Sequence, residues 1–109
     1  MRARRALVIR LRPERREEYL AQHRAVWPQV QQAMRQAGHH NYSIFLRDDL
    51  LFCYFEHDAT VDIDQQRAAM RRLPELKPWL ELMNACQQPI ANAGPNEWWA
   101  SMEEVYHLD

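Results

Sequence analysis

Apolar and polar side chains alternate along the first part of the chain, in the segment Ala6–Arg12. Leu7, Ile9 and Leu11 fall on one face of this segment and leave the intervening residues to the other. A period of two residues is typical of a β-strand, and Pro13 interrupts it. The pattern therefore predicts a first strand that ends just before Pro13.

After Pro13 the spacing of apolar residues changes to three or four, which is typical of an amphipathic helix. The stripe consists of Tyr19, Leu20, His23, Val26, Trp27, Val30, Ala33, Met34 and Ala37. Gly38 follows it, in the position of a C-terminal cap. Pro28 removes one helical hydrogen bond and clashes with the preceding turn. We therefore predict a long helix from Pro13 to Ala37 that is kinked or split at Trp27.

Two segments rich in aromatic and large apolar residues follow, His39–Arg47 and Leu50–His57, separated by two aspartates. Such a pair predicts a β-hairpin. Neither segment alternates cleanly between apolar and polar residues, so we expect both faces of this sheet to be covered. Helices would cover one face, and a second subunit would cover the other.

The remainder of the chain predicts a second helix, a loop and a last strand. Helical spacing occurs in two pieces, Ile63–Leu73 and Glu75–Asn84, separated by prolines. The segment Gln87–Trp99 is polar and marked by proline and glycine, which indicates an irregular loop. Glu103–Asp109 then predicts a short closing strand.

This order of elements is that of an α+β fold, the ferredoxin-like split βαβ arrangement. With 109 residues and no internal repeat, the chain is expected to form one domain over residues 1–109. The formal net charge of -1 gives no global field toward nucleic acid or anionic lipid. The two cysteines have no ligand or redox spacing, and no long apolar run is present. We therefore expect a cytoplasmic protein with reduced thiols, without membrane or nucleic-acid partners.

Motifs for metal, phosphate or nucleophilic chemistry are absent from the sequence, so neither a metal site nor a cofactor is expected. His39 and His40 are adjacent in a predicted strand and would face opposite sides. His57 and His107 lie near predicted strand ends, where a polar surface position explains them. The acidic pairs in turns need no explanation beyond solvation.

An aromatic group remains, and it includes a tyrosine and a histidine one helical turn apart. Its members are Tyr19, His23, Trp27, Tyr42, Trp79, Trp98 and Trp99. Each alone is typical of a core or interface position with one satisfied polar end. Together they suit a neutral polyol, since tryptophan rings cover the C–H face of a sugar while tyrosine and histidine bind its hydroxyls. Aromatic walls with a few polar groups also describe small-molecule pockets in general.

Four segments carry a resemblance over nearly the whole chain: EYLAQHRAVWP, GHHNYSIFL, the tryptophan of PWLELM, and MEEVYHL. In this order and spacing the chain resembles the L-rhamnose mutarotase family of aldose 1-epimerases. The resemblance implies a homodimeric α+β barrel that binds a monosaccharide without a cofactor. It also implies interconversion of the α and β anomers of a 6-deoxy-L-sugar, with L-rhamnose as the first candidate.

The resemblance assigns roles to individual residues. The family's sugar-binding tyrosine corresponds to Tyr19, its proton-donating histidine to His23, and its second binding tyrosine to Tyr42. Where the family has two adjacent tryptophans lining the sugar, this chain has Trp79 and Leu80. The loss of one ring leaves L-fucose or a related aldose open as the substrate, and Trp98 or Trp99 could supply the missing ring.

The chemistry of mutarotation fits these residues, because it requires only a proton acceptor and a proton donor on opposite sides of the sugar. Histidine, with an ordinary pKa of about 6.5, serves either role near neutral pH. The sequence predicts His23 as the acid toward the ring oxygen and leaves the opposing base open among a tyrosine, another histidine and water. Two other classes also remain open: a small monooxygenase of the same barrel type, and a non-catalytic interaction module.

Overall fold

The first strand, β1 (Arg2–Leu11), is the strand around which the sheet is built. The computed structural model describes all residues from 1 to 109. One edge of β1 pairs with β3 (Leu50–Asp58), which in turn pairs with β2 (His40–Arg47). The other edge pairs with two short strands, β4 (Gln87–Gln88) and β5 (Ala100–Met102). Every pairing is antiparallel, and the order β2-β3-β1 with β4 and β5 beyond confirms the predicted α+β arrangement.

The register between β1 and β3 determines which side chains face the helices. Leu7 lies opposite Cys53 and Ile9 lies opposite Leu51, and all four side chains are buried. Successive side chains of a strand point to opposite faces, so the residues between them belong to the outer face of the sheet. The first strand of the sequence pattern is therefore confirmed, with four more residues at its N-terminal end.

The predicted long helix is split, as the proline indicated. A 3₁₀ turn (Pro13–Arg15) leads into α1 (Arg16–His23), and α2 (Pro28–Gln36) begins at the proline itself. Trp27 is extended, with φ -60° and ψ 136°, because the residue before a proline avoids the helical region.

The end of α2 explains the glycine predicted to cap it. Gly38 has φ +98°, a left-handed conformation that glycine adopts without a side-chain clash. The amide of His39 then donates to the carbonyl oxygen of Met34 at 3.1 Å. The chain reverses here and enters β2 at His40, one residue later than predicted.

The second helical region also has two pieces, α3 (Ile63–Arg71) and α4 (Lys77–Cys86), with a 3₁₀ turn (Pro74–Leu76) between them. The Asp62 carboxylate caps α3 by accepting from the amide of Gln65 at 3.1 Å. The helices lie over the inner face of the sheet. Buried side chains of α1, α2 and α4 form one cluster with those of β1 and β3, and Ile63 of α3 belongs to a second, smaller cluster on the same two strands. None of these helices has the length and apolar character needed to cross a bilayer.

The prediction of a closing strand over Glu103–Asp109 is wrong, because the last strand is Ala100–Met102. These three residues occupy the free edge of β1 opposite Ala6–Val8, which leaves the final segment without a partner strand in this chain. The final segment is exposed, and Glu104 binds Arg4 through two hydrogen bonds of 2.8 and 3.1 Å.

Two smaller expectations also need correction. Gln87–Gln88, at the start of the predicted loop, pairs with Arg10 and Leu11 as a short strand. His57 was expected at the surface but is only 5% exposed, because it shares the inner face of β3 with Phe55. Its Nδ1 donates to the carbonyl oxygen of Asp58 at 2.9 Å.

Candidate active site

A cavity of about 590 Å³ lies between the helices and the inner face of the sheet. Its volume is within the range of small-molecule pockets, and most of its wall is apolar or aromatic. All five residues predicted to form a site contribute to this wall: Tyr19, His23, Tyr42, Trp79 and Leu80. Trp98 and Trp99 also line it, from the loop before β5.

Tyr19 and His23 form the part of the wall that belongs to α1. Their rings stack with centroids 4.1 Å apart, which follows from a separation of four residues on one helix face. His23 Nδ1 lies 2.8 Å from the carbonyl oxygen of Tyr19. A carbonyl oxygen only accepts hydrogen bonds, so Nδ1 carries the proton and Nε2 keeps a free lone pair in the neutral ring. Burial lowers the pKa of His23, and the bond to the Tyr19 carbonyl partly opposes this shift.

Trp79 forms a second part of the wall, from α4. Its ring lies 5.5 Å from the His23 ring and packs edge-on against Trp27, with centroids 5.1 Å apart. Trp27 supports this ring without lining the cavity itself, and Leu80 is the half-buried neighbour of Trp79 in the wall. An aromatic surface next to the histidine suits the apolar face of a ring-shaped ligand.

The Tyr19 side chain is buried, and burial raises its pKa well above the ordinary value while Gln87 partly opposes the shift. Gln87, also buried, accepts a hydrogen bond from Trp98 Nε1 at 3.2 Å. The start of the predicted loop therefore supports the wall near α1. Tyr19 is a neutral hydroxyl at physiological pH, able to donate or accept a hydrogen bond.

Tyr42 lies on β2, toward the end of the cavity near α3. Its ring stacks on Phe55 with centroids 5.7 Å apart and meets the edge of His39 at 5.4 Å. Burial is the main cause that raises the pKa of Tyr42, followed by the neighbouring Cys53. Like Tyr19, it is a neutral hydroxyl.

Sequence reasoning missed a polar pair beside Tyr42, formed by His39 and Arg67. His39 Nδ1 donates to the Met34 carbonyl oxygen at 2.9 Å, and Arg67 Nη1 donates to His39 Nε2 at 2.9 Å. Desolvation lowers the pKa of His39 to about 4. The guanidinium of Arg67 also lies 4.7 Å above the Phe55 ring. The sequence signal that could have identified Arg67 is its position in α3. It lies one helical turn after the buried Ile63, so its side chain is on the same face of the helix.

The fold and the cavity define a small α+β protein of the dimeric-barrel type with an aromatic-lined site. Two solved structures share this fold over nearly the whole chain. The L-rhamnose mutarotase of Formosa agariphila has a TM-score of 0.75 and 21% identity, with 98% of this chain and 99% of that one covered. The tetracenomycin F2 cyclase of Streptomyces glaucescens has a TM-score of 0.71 and 20% identity, covering 98% and 97%. At 21% and 20% sequence identity, these likenesses establish the fold alone.

The sequence comparisons identify the family. The family model described as L-rhamnose mutarotase matches residues 4–108. The L-rhamnose mutarotase of Opitutus terrae is 32% identical over 108 residues, covering 97% of this chain and 98% of its own. The chain belongs to the L-rhamnose mutarotase family. It is therefore an isomerase of the mutarotase type, in preference to the monooxygenase and the non-catalytic module.

His39 makes the free energy of unfolding depend on pH. Its pKa is about 4 in the folded protein and close to 6.5 in the unfolded chain, so the unfolded chain binds the additional proton between these values. The stabilisation by neutral His39 is complete above pH ~6.5 and is lost as the pH falls toward 4, by up to about 3 kcal/mol.

Urea unfolding of His39→Gln at several pH values between 7.5 and 4 should show a flatter decline than wild type. His40→Gln is the matched control, because His40 is the exposed neighbour and should retain the wild-type decline. Equal declines for wild type and His39→Gln would contradict the assignment.

Proposed function

We propose that the protein interconverts the α and β anomers of a 6-deoxy-L-sugar, with L-rhamnose as the first candidate substrate. The observation that carries this proposal is the stacked pair of Tyr19 and His23 in the wall of an aromatic cavity. The family described as L-rhamnose mutarotase supports the choice of reaction and of sugar. The reaction as proposed needs no metal, cofactor or covalent nucleophile.

The sugar ring is bound mainly by contact with aromatic surface. The Trp79 ring covers the C–H face of the pyranose beside His23, and the Tyr19 and Tyr42 hydroxyls bind sugar hydroxyls from two sides. Leu80 completes the wall next to Trp79 with a smaller apolar group. The neutral state of both tyrosines supports these roles, because a phenol can donate and accept at once.

The proton transfer runs through Nε2 of His23. In the resting enzyme this nitrogen is unprotonated, so it first accepts the proton of the anomeric hydroxyl. The O1–H bond breaks, the C1–O1 bond gains double-bond character, and the C1–O5 bond of the ring breaks. The imidazolium then donates the same proton to O5, which completes the open-chain aldehyde.

A single nitrogen suffices for both transfers because O1 and O5 are bonded to the same carbon and lie close together. Rotation about the C1–C2 bond presents the other face of the aldehyde, and the reverse sequence closes the ring as the other anomer. In this proposal His23 is the proton donor after having acted as the acceptor, which replaces the separate base expected on the opposite side of the sugar. The hydrogen bond of Nδ1 to the Tyr19 carbonyl keeps the ring oriented during both steps and stabilises its protonated form.

His23→Asn should lower anomer exchange by a factor on the order of 10²–10³, with little change in sugar affinity, because asparagine cannot carry the proton. NMR magnetisation exchange between the anomers of L-rhamnose measures the rate directly. His40→Asn alters an exposed histidine outside the cavity and should leave the rate unchanged. Wild-type exchange per folded molecule in His23→Asn would remove His23 from the mechanism.

Tyr19→Phe keeps the ring stacked on His23 and removes one hydroxyl. We expect a loss of about 1 kcal/mol, mainly in sugar binding, because one hydrogen bond is lost. A binding titration with L-rhamnose measures it. A lower melting temperature with unchanged sugar affinity would instead mean that the Tyr19 hydroxyl stabilises the folded protein and does not bind the sugar.

Leu80→Trp should improve exchange of L-rhamnose relative to L-fucose and other aldoses, if the lost ring explains the departure from the family pattern. The position supports this test, since Leu80 is half-buried in the cavity wall beside Trp79. The same NMR experiment across a panel of aldoses gives the ranking. An unchanged ranking would mean that the side chain does not face the sugar.

We further propose that the protein is a homodimer packed through the outer faces of its sheets. Apolar side chains are exposed there, with Phe45 60% and Met102 48% accessible, and Phe45 lies 6.2 Å from the Phe52 ring. The final segment adds Val105, Tyr106 and Leu108, each more than three-quarters exposed. Exposed apolar patches of this kind mark interaction surfaces.

The buried free thiols Cys53 and Cys86 suit the proposed cytoplasmic location.

Phe45→Lys should convert the dimer to monomers in sedimentation velocity at micromolar concentration, because it places a charge among the exposed apolar side chains of the outer face. Gln36→Lys, which adds a charge on exposed α2, should leave the dimer intact. A wild-type monomer at this concentration would exclude the dimer.

A further inference from the structure

The charge of the cavity is not explained by a neutral sugar. Three arginines contribute to the wall, Arg35 from α2 together with Arg67 and Arg71 from α3. No aspartate or glutamate lines the cavity, and none of the three arginines forms an ion pair. The cavity wall therefore carries net positive charge that no carboxylate of the wall neutralises.

Arg67 is held in place by neutral groups. One of its five N–H groups is used on His39 Nε2, and its guanidinium plane lies over Phe55. Burial raises the pKa of Tyr42, which lines the cavity, and of Cys53, which packs behind Tyr42, and the charge of Arg67 partly opposes both shifts. The half-buried guanidinium thus acts on the interior of the cavity while keeping donors free for a ligand.

Arg71 lies one helical turn after Arg67, so the two cations are neighbours on the same face of α3. Partial desolvation lowers the pKa of Arg71, and the charge of Arg67 lowers it further. Like charges at this spacing destabilise a helix. Asp64, the acidic residue of the same helix, relieves this repulsion only in part, because its carboxylate binds Arg5 with hydrogen bonds of 3.1 and 3.2 Å.

Ten arginines of the chain lie outside the cavity. Six of them form ion pairs with a carboxylate, between 2.6 and 3.4 Å: Arg2, Arg4, Arg5, Arg10, Arg15 and Arg16. The other four form none, so what sets Arg67 and Arg71 apart is that they line the cavity. A pair of adjacent arginines that lines a cavity without any carboxylate is the arrangement expected when the counter-ion belongs to a ligand.

We propose that Arg67 and Arg71, with Arg35 at the mouth, form a subsite for an anionic group of the sugar, so that the enzyme prefers aldoses carrying a carboxylate or a phosphate. The guanidinium fork matches either group through two parallel hydrogen bonds. The inference rests on the proposed mutarotase activity for the sugar ring. It adds acidic aldoses as a substrate class that binds more tightly than L-rhamnose, which leaves the subsite unused.

We place the anion away from C1, because the anomeric carbon reacts at His23 whereas Arg67 binds His39 beside Tyr42. The carbon of a hexopyranose farthest from C1 is the exocyclic C6. L-rhamnose is 6-deoxy-L-mannose, so the test ligands keep its ring configuration and differ only at C6: L-mannose, L-mannuronate and L-mannose 6-phosphate. The carboxylate and phosphate members distinguish which anion the subsite takes.

Binding titrations at low salt should give at least tenfold tighter binding for one acidic member than for L-mannose. Arg67→Gln and Arg71→Gln should each remove most of this preference while changing the affinity for L-mannose less than twofold. Arg72→Gln is the matched control, since Arg72 follows Arg71, is exposed and does not line the cavity. Arg67→Lys should restore part of the preference, because it retains the charge without the fork. Melting temperatures establish that each variant is folded.

The proposal is overturned if neither acidic sugar binds more tightly than L-mannose, or if Arg67→Gln and Arg71→Gln weaken acidic and neutral sugars equally. Anomer exchange of L-rhamnose, measured on the same samples, separates the two proposals. Exchange without any preference for acidic sugars would leave the mutarotase intact and exclude the subsite. An arginine-dependent preference without exchange of any sugar would establish the subsite and exclude the proposed reaction.

Discussion

The pairing of β1 with β3 is the constraint on which the rest of the structure depends. Its register places Leu7 opposite Cys53 and Ile9 opposite Leu51, so that one face of the sheet becomes continuously apolar. A shift by one residue would expose this entire set, because side chains alternate between faces. The helices cover the apolar face, and the cavity occupies the space between them and the sheet.

The chemistry of the site depends on a local property of α1. A histidine four residues after Tyr19 reaches back to the Tyr19 carbonyl, and this contact determines which ring nitrogen carries the proton. The tautomer is thus set by the backbone of the same helix, without a carboxylate partner. Pro28 contributes indirectly to the site. It prevents one continuous helix, so α2 begins as a separate helix after the extended Trp27.

Much of the fold could be predicted because its signals are local. The alternation around Ile9, the proline that splits the first helix and the glycine that ends the second each act within a few residues. The closing strand was misplaced for the opposite reason. A strand needs a free edge, and the sequence does not show that the available edge of β1 lies opposite Ala100–Met102.

The same distinction applies to the site. Tyr19 and His23 could be recognised together because one helix holds both. The contact between His39 and Arg67 joins residues 28 apart in sequence, so it exists only after β2 and α3 have packed. The burial of His57 could have been predicted from the sequence. His57 follows Phe55 by two residues in β3, so both side chains lie on the inner face of the sheet.

The positive charge of the cavity opposes the protonation of His23. Forming an imidazolium at His23 during proton transfer adds a cation to a cavity that already contains three arginines and no carboxylate. A neutral ligand leaves that repulsion in place, whereas an anionic ligand neutralises part of it and favours the protonated intermediate. The charge of the ligand would then affect the rate of the proton transfer as well as the affinity, even though the anion and the reacting carbon lie at opposite ends of the sugar.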